Sequence, residues 1–266
     1  MAIIETNSLT RYFGQIVAVD NLNLTVEEGE IFGLIGPNGA GKTTTIKMLT
    51  TLLPPTSGRA SIAGFDIRHQ SAQVRKVIGY VPQLISADST LSGYENLLIF
   101  AKLYDLPQSE REKRVRGALH FMGLDEVADK LVKNYSGGMI RRLEIAQSML
   151  HRPRLLFLDE PTVGLDPAAR RAVWEHIMDL RNQFGTTIFL TTHLMDEADE
   201  LCTRVAIMHL GKVAAIGSPA ELKKAVGRGE DVSLDEVFIH FTGNELDEGG
   251  NFRDVSRTRR VARRLG

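Results

Sequence analysis

Residues Gly36-Pro37-Asn38-Gly39-Ala40-Gly41-Lys42-Thr43 fit the pattern G-x-x-x-x-G-K-[ST]. Glycines at 36, 39 and 41 let the backbone wrap closely around phosphate oxygens. The apolar run Ile31-Phe32-Gly33-Leu34-Ile35 precedes the motif, and helix-like sequence from Lys42 to about Leu52 follows it. Strand, loop and helix in that order are the context the motif requires. Such a helix aims its first amides at the same anion. Lys42 then supplies a point charge to the β- and γ-phosphates, and Thr43 a hydroxyl to Mg²⁺. The whole stretch Gly36 to Thr44 is expected to cradle ATP. A second acidic site follows another apolar run, in Leu155-Leu156-Phe157-Leu158-Asp159-Glu160. A buried strand that ends on two carboxylates delivers them to the ligand edge of an α/β sheet. Asp159 suits a Mg²⁺ ligand, and Glu160 suits the general base for an attacking water. Taken alone the pair could equally be a solvated strand end. Together with the phosphate loop it points to nucleoside triphosphate hydrolysis.

The surrounding sequence must position these groups. Ile3-Ile4, Ile16 to Asp20 and Leu22 to Val26 alternate apolar and polar residues and are separated by turn residues. They read as short antiparallel strands. The runs at Ile31 and Leu155 read as buried parallel strands, as do Thr186 to Leu190 and Val205 to Met208. From about Leu91 to Leu150 the pattern is helical. Ser92-Gly93-Tyr94-Glu95 and Ser109-Glu110-Arg111-Glu112 both have the form of a capping box. Asp166-Pro167 opens a further helix, with Pro at its first position. Glu197 to Cys202 is expected to be helical, and Ser218 and Ser233 each begin a capped helix. Strands that alternate with helices imply a mostly parallel sheet covered on both faces. The helical block then reads as an insertion.

Bulk properties narrow the class. The 266 residues carry a formal charge of −1, so no overall basic field would hold nucleic acid. No stretch is long and apolar enough to span a bilayer, and no secretory signal opens the chain. Cys202 is the only cysteine. It reads as a small core residue, in keeping with a reducing compartment.

Between the two phosphate-handling motifs lies Asn134-Tyr135-Ser136-Gly137-Gly138-Met139, leading into Ile140-Arg141-Arg142-Leu143-Glu144. This resembles the signature sequence of ATP-binding-cassette (ABC) ATPases, with Tyr135 and Met139 in place of the usual Leu and Gln. The remaining landmarks fall in order. Gln83 resembles the glutamine that contacts Mg²⁺ and reports to a membrane partner. Val163-Gly164-Leu165-Asp166 resembles the D-loop. His193 resembles the switch histidine at the γ-phosphate. Tyr12 resembles the aromatic that stacks on adenine, although a tyrosine between short strands can also simply be packed. The resemblance covers roughly residues 3 to 242.

The resemblance implies an α/β fold: a P-loop NTPase core with an antiparallel β subdomain and an inserted α-helical subdomain at about 88–150, all within 1–243. It implies ATP and Mg²⁺ as ligands, with Glu160, His193 and Gln83 at the reacting end. It also implies a head-to-tail dimer, in which Ser136, Gly137 and Gly138 of one chain meet ATP bound by the other. Finer features, among them Thr191-Thr192-His193-Leu194-Met195-Asp196-Glu197-Ala198, resemble the daunorubicin-resistance type of drug exporter. There the membrane permease is a separate chain, and the ATPase sits on the cytoplasmic face of the membrane. An importer ATPase or a soluble ABC ATPase acting on ribosomes are the alternatives. The last residues, 244–266, read as an acidic, Gly-rich linker and then an arginine-rich tail. That tail is either a solvated end or a contact for anionic lipid.

Overall fold

The computed structural model describes residues 1–227 and 232–243. The arginine-rich tail lies outside the described residues. In chain order the strands are β1 (Ala2–Phe13), β2 (Ile16–Leu22), β3 (Thr25–Glu27), β4 (Ile31–Ile35), β5 (Ser57–Ile62), β6 (Phe65–Asp66), β7 (Ile78–Val81), β8 (Leu155–Asp159), β9 (Thr187–Thr192), β10 (Arg204–His209) and β11 (Lys212–Gly217). The helices are α1 (Lys42–Leu49), α2 (Ser71–Val77), α3 (Gly93–Leu103), α4 (Gln108–Phe121), α5 (Gly137–Met149), α6 (Pro167–Phe184), α7 (Met195–Leu201), α8 (Pro219–Ala225) and α9 (Leu234–Thr242).

Two sheets form. The larger runs β11-β10-β4-β9-β8-β7 and is parallel except for the β10–β11 hairpin. The smaller is antiparallel, β2-β1-β5-β6, with β3 also on β1. Helices α3, α4 and α5 lie between β7 and β8 in the chain. This is an α/β P-loop core with an antiparallel β part and a helical insertion. Strand β4 shows why its sequence is uniformly apolar. Ile31 and Ile35 pack into one core with α5 and the helical insertion, while Phe32 and Leu34 pack into a second core with β1 and β5. Side chains alternate across a strand, so a sheet buried on both faces needs an unbroken apolar run. Gly33 stands between them because a Cβ there would lie 2.7 Å from Cys202 Sγ. Cys202 is buried, and burial pushes its thiol well above the ordinary range.

Several local expectations change. The N-terminal strands are not all short, since β1 runs unbroken for 12 residues and pairs on both edges. Helix α1 stops at Leu49, and Thr51 takes a left-handed φ of 64° that ends the turn. No capping box forms at Ser109. Helix α4 already begins at Gln108, with Pro107 at its N-cap and no capping side chain. Proline has a fixed φ and no N–H to satisfy, so it can start the helix earlier by itself. Helix α7 ends at Leu201, leaving Cys202 extended. Strand β11 is half-exposed and joins β10 through Leu210-Gly211, both at positive φ. That is the turn type that matches strand twist. Among the described residues, no helix is long and apolar enough to cross a membrane.

At the start of α3 the expected capping box is present, with Ser92 and Glu95 each accepting the other's backbone N–H. Replacing Ser92 by Ala should cost about 1 kcal/mol. Thermal unfolding should shift down by roughly 2–4 °C. An unchanged midpoint would show that this cap does not hold the helical insertion.

Candidate active site

The loop between β4 and α1 is shaped by glycine. Gly36 and Gly41 have φ of 154° and 110°, and a Cβ on either would lie 2.1 Å from Met208 O or 2.4 Å from Ala18 O. Strands β10 and β2 therefore press against the loop from outside. Gly39, at φ 85°, faces open space on the exposed side with Asn38. Pro37 O accepts from the buried Ala40 N–H, which fixes the bend. No capping side chain and no acid occupies the first turn of α1, where Thr43 and Thr44 are half-buried. Its first amides are thus unclaimed by side chains, as an anion site needs.

Lys42 is buried and turns back into the loop. Its Nζ donates to Gly36 O at 2.7 Å and Pro37 O at 3.1 Å, and lies 3.3 Å from Glu160 Oε1. Burial lowers its pKa, and Glu160 acts in the opposite direction.

The two carboxylates leave β8 in different directions. Asp159 Oδ1 accepts from Thr43 Oγ1 at 3.1 Å and from Thr191 Oγ1 at 2.6 Å. Burial raises its pKa, against the pull of those two hydroxyls. Glu160 sits at φ 49°, a left-handed conformation that costs of order 1–3 kcal/mol outside glycine. Its N–H donates to both Thr191 O and Thr191 Oγ1, which pins the conformation. The turn aims its carboxylate at three other groups. Gln83 Nε2 donates to Oε2 at 3.0 Å, and Lys42 Nζ and His193 Nδ1 lie 3.3 and 3.4 Å from Oε1. Burial alone would raise the Glu160 pKa. His193 and Lys42 outweigh it, so the carboxyl stays below its ordinary value. The group is ionised and able to accept a proton.

Thr43, Asp159 and Gln83 present hard oxygen donors, the set that suits Mg²⁺. Among the described residues no three His, Cys, Asp or Glu side chains form a metal cage.

Other residues lie at the margins. Tyr12 is 41 % exposed on β1, opposite Val17 of the strand that abuts the loop. Ser136 caps α5, where its Oγ accepts from Met139 N–H. Met139 Sδ in turn accepts the Ser136 N–H, doing weakly what a capping Gln or Glu does. Cβ atoms on Gly137 and Gly138 would approach Leu165 at 3.1 Å and Ala169 at 2.9 Å. Asp166 caps α6 beside them. Among the described residues, no hydrogen bond joins this second locus to the phosphate loop.

Sequence reasoning missed the support behind Glu160. Thr191 fixes both Asp159 and Glu160. Glu197 is fully buried and accepts from Thr162 Oγ1 at 2.6 Å and Trp174 Nε1 at 2.9 Å. It ties the segment after Glu160 to the helix after His193. The visible signal was Thr191-Thr192, a polar end to an apolar strand.

Burial pushes the Glu197 carboxyl above its ordinary range, against the donors around it. The folded protein therefore holds that proton more tightly than the unfolded chain. The associated stabilisation is full at low pH and is lost as pH rises through the folded pKa. Glu197→Gln keeps an acceptor for Thr162 and Trp174 but has no proton to lose. Its melting temperature should gain on that of the unaltered protein as pH rises from about 4 to about 8. A difference that does not vary with pH would contradict the shift.

The ABC transporter family matches residues 19–163. The daunorubicin/doxorubicin resistance ATP-binding protein DrrA of Streptomyces peucetius is 44 % identical, over 84 % of this chain and 68 % of that protein. The Nod factor export ATP-binding protein I of Cupriavidus metallidurans is 43 % identical, over 92 % and 78 %. A dimeric ATP-binding cassette solved in a post-hydrolysis state with ADP and Pi superposes with a TM-score of 0.71. That match is 26 % identical and covers 81 % of this chain and 98 % of the other. Motif, fold and relatives agree: this chain belongs to the ABC transporter family and is one of its ATPases.

Proposed function

We propose that this chain is the ATP-hydrolysing subunit of a membrane exporter whose permease is a separate chain. The observation that carries the reading is the convergence of Lys42, Gln83 and His193 on Glu160. Lys42 and the backbone N–H groups at the start of α1, from Gly41 to Thr44, hold the β- and γ-phosphates. Thr43, Asp159 and Gln83 would hold Mg²⁺, which when bound would neutralise charge across those phosphates. A polyphosphate is a stronger partner for the Lys42 ammonium than one carboxylate. Its entry therefore draws Lys42 away and leaves Glu160 free to take the proton of the attacking water. The water oxygen bonds to the γ-phosphorus, and ADP leaves as inorganic phosphate forms. His193 orients the γ-phosphate and Glu160, while Tyr12 stacks on adenine.

Ser136, Gly137, Gly138 and Asp166 serve the ATP of a second chain, in a head-to-tail dimer. Two observations support this: Ser136 heads a 13-residue helix, whose N-terminal dipole favours an anion, and among the described residues no hydrogen bond joins it to its own phosphate loop. The similar ATP-binding cassette bound to ADP and Pi is itself dimeric. The permease docks beside the nucleotide, on the loop after β7, where Leu84 and Ile85 are 81 % and 63 % exposed. Adjacent large apolar side chains so exposed mark an interaction site. The ATPase thereby works at the cytoplasmic face of the membrane. Its cargo class is drugs, antibiotics or similar small molecules. The named cargoes of the two relatives differ although their identities are nearly equal, so cargo choice belongs to the permease.

Lys42→Ala should lower ATP turnover by about 10²-fold or more. Turnover near that of the unaltered protein would remove Lys42 from the site. A tagged Glu160→Gln chain, solubilised in detergent with ATP and Mg²⁺, should retain a polytopic membrane protein. Adding Leu84→Asp and Ile85→Asp should release it. Recovery of ribosomes or nucleic acid without a membrane chain would overturn the exporter reading.

A further inference from the structure

Two charged side chains on α5 are buried and lie outside the reacting cluster. Arg141 is 6 % exposed and Glu144 is 3 % exposed. Taking such groups out of water is costly unless they are paired and hydrogen-bonded. Their partners are almost all in one place, the loop after β7. Arg141 Nη1 donates to Pro82 O at 2.8 Å, and Nη2 donates to Gln83 O at 3.1 Å. Glu144 Oε1 accepts from both the N–H and the Oγ of Ser86. Glu144 Oε2 lies 3.1 Å from Arg141 Nη1, an ion-pair distance without an aligned hydrogen bond.

The two side chains thus grip the loop at both ends. A planar guanidinium fork holds two successive carbonyls, which a lysine could not do. A carboxylate holds the far end through two donors. Between the grips Leu84 and Ile85 protrude into solvent. The gripping residues belong to the helix that Ser136 caps, and Arg141 follows Ser136 by about one and a half turns. One of the gripped residues is Gln83, whose side chain reaches Glu160. A stiff helix therefore connects the second phosphate-facing locus to the loop that carries Gln83.

We propose that Arg141 and Glu144 are positioning residues that lock the Pro82–Ser86 loop to α5, so that the Ser136 end of the helix and the Leu84–Ile85 tip shift as one body. The proposal rests on the nucleotide-site reading above and adds its internal linkage. Movement of Ser136 onto a partner's ATP is carried to the exposed tip through the clamp, and not through Gln83 alone. The loop carries no regular structure of its own, so without the clamp its tip has nothing to transmit helix displacement.

The test labels the tip. Cys202 is buried and is the only native cysteine, so Leu84→Cys gives one reactive thiol for an environment-sensitive fluorophore. In the full chain carrying Glu160→Gln, ATP with Mg²⁺ should shift the probe's emission as the chains pair. Replacing a buried ion pair by apolar residues of similar volume is often neutral for stability, so Arg141→Met with Glu144→Leu removes the clamp and spares the fold. In that double variant the probe shift should fall about fivefold or more, with ATP affinity within about twofold of the parent. With Glu160 intact, turnover should fall by about tenfold, within the range that ångström-scale misplacement produces. Arg141→Lys keeps the charge beside Glu144 but not the fork. It should lose the probe shift as well, and it serves if the double variant melts early. An undiminished shift in either folded variant would overturn the clamp, because the loop would then respond through Gln83 alone. If the labelled parent binds no ATP and shows no shift, the nucleotide-site reading itself fails and the clamp fails with it.

Discussion

The Glu160 carboxylate is approached by three side chains that come from three distant parts of the chain. Lys42 begins α1, Gln83 follows β7 and His193 follows β9. Such a meeting is possible only because β4, β9, β8 and β7 lie side by side and parallel, so that their carboxyl ends open on one edge. Parallel neighbours require long crossover connections, and those connections are the helices. The fold is in this sense the consequence of bringing one ammonium, one amide and one imidazole to one carboxylate. The ion pair with Lys42 is buried on both sides, where a lone charge would be costly. Each group therefore depends on having a partner, and a polyphosphate changes which partner Lys42 takes.

The backbone at Glu160 serves the same end. A non-glycine residue at positive φ is disfavoured, yet here it turns the carboxylate away from Asp159 and towards Lys42, Gln83 and His193. Thr191 supplies both acceptors for the Glu160 N–H and one donor for Asp159. Two adjacent acids thereby get different environments. Asp159 is held among hydroxyls suited to a metal, and Glu160 beside the Lys42 ammonium, which helps to keep it ionised.

What the sequence disclosed follows from how local each constraint is. The phosphate loop was legible because its glycines answer to close backbone contacts within and beside eight residues. Asp159 and Glu160 are ambiguous alone and were legible only beside the phosphate loop, which supplies a substrate for them. The capping box at Ser92 and the capped helix starts at Ser218 and Ser233 formed as read, since both partners of each cap lie within one turn. The one at Ser109 did not, because Pro107 started the helix first. The Arg141–Glu144 grip was invisible, as its contacts span nearly sixty residues and end on backbone atoms that any sequence could offer. Glu197 was invisible for a similar reason. A glutamate beside Asp196 in an acidic helix resembles a solvated face until Trp174 and Thr162 are seen to close over it.

The central claim is that phosphate and Glu160 compete for Lys42, and that the carboxylate so released is the base. Equilibrium ATP binding and single-turnover hydrolysis, measured side by side on the Glu160→Gln protein, test it most directly. The amide cannot hold Lys42 by charge and cannot take a proton. ATP affinity should equal or exceed that of the unaltered chain, while hydrolysis slows by about 10²-fold or more. Weaker binding, or hydrolysis at an undiminished rate, would contradict the account.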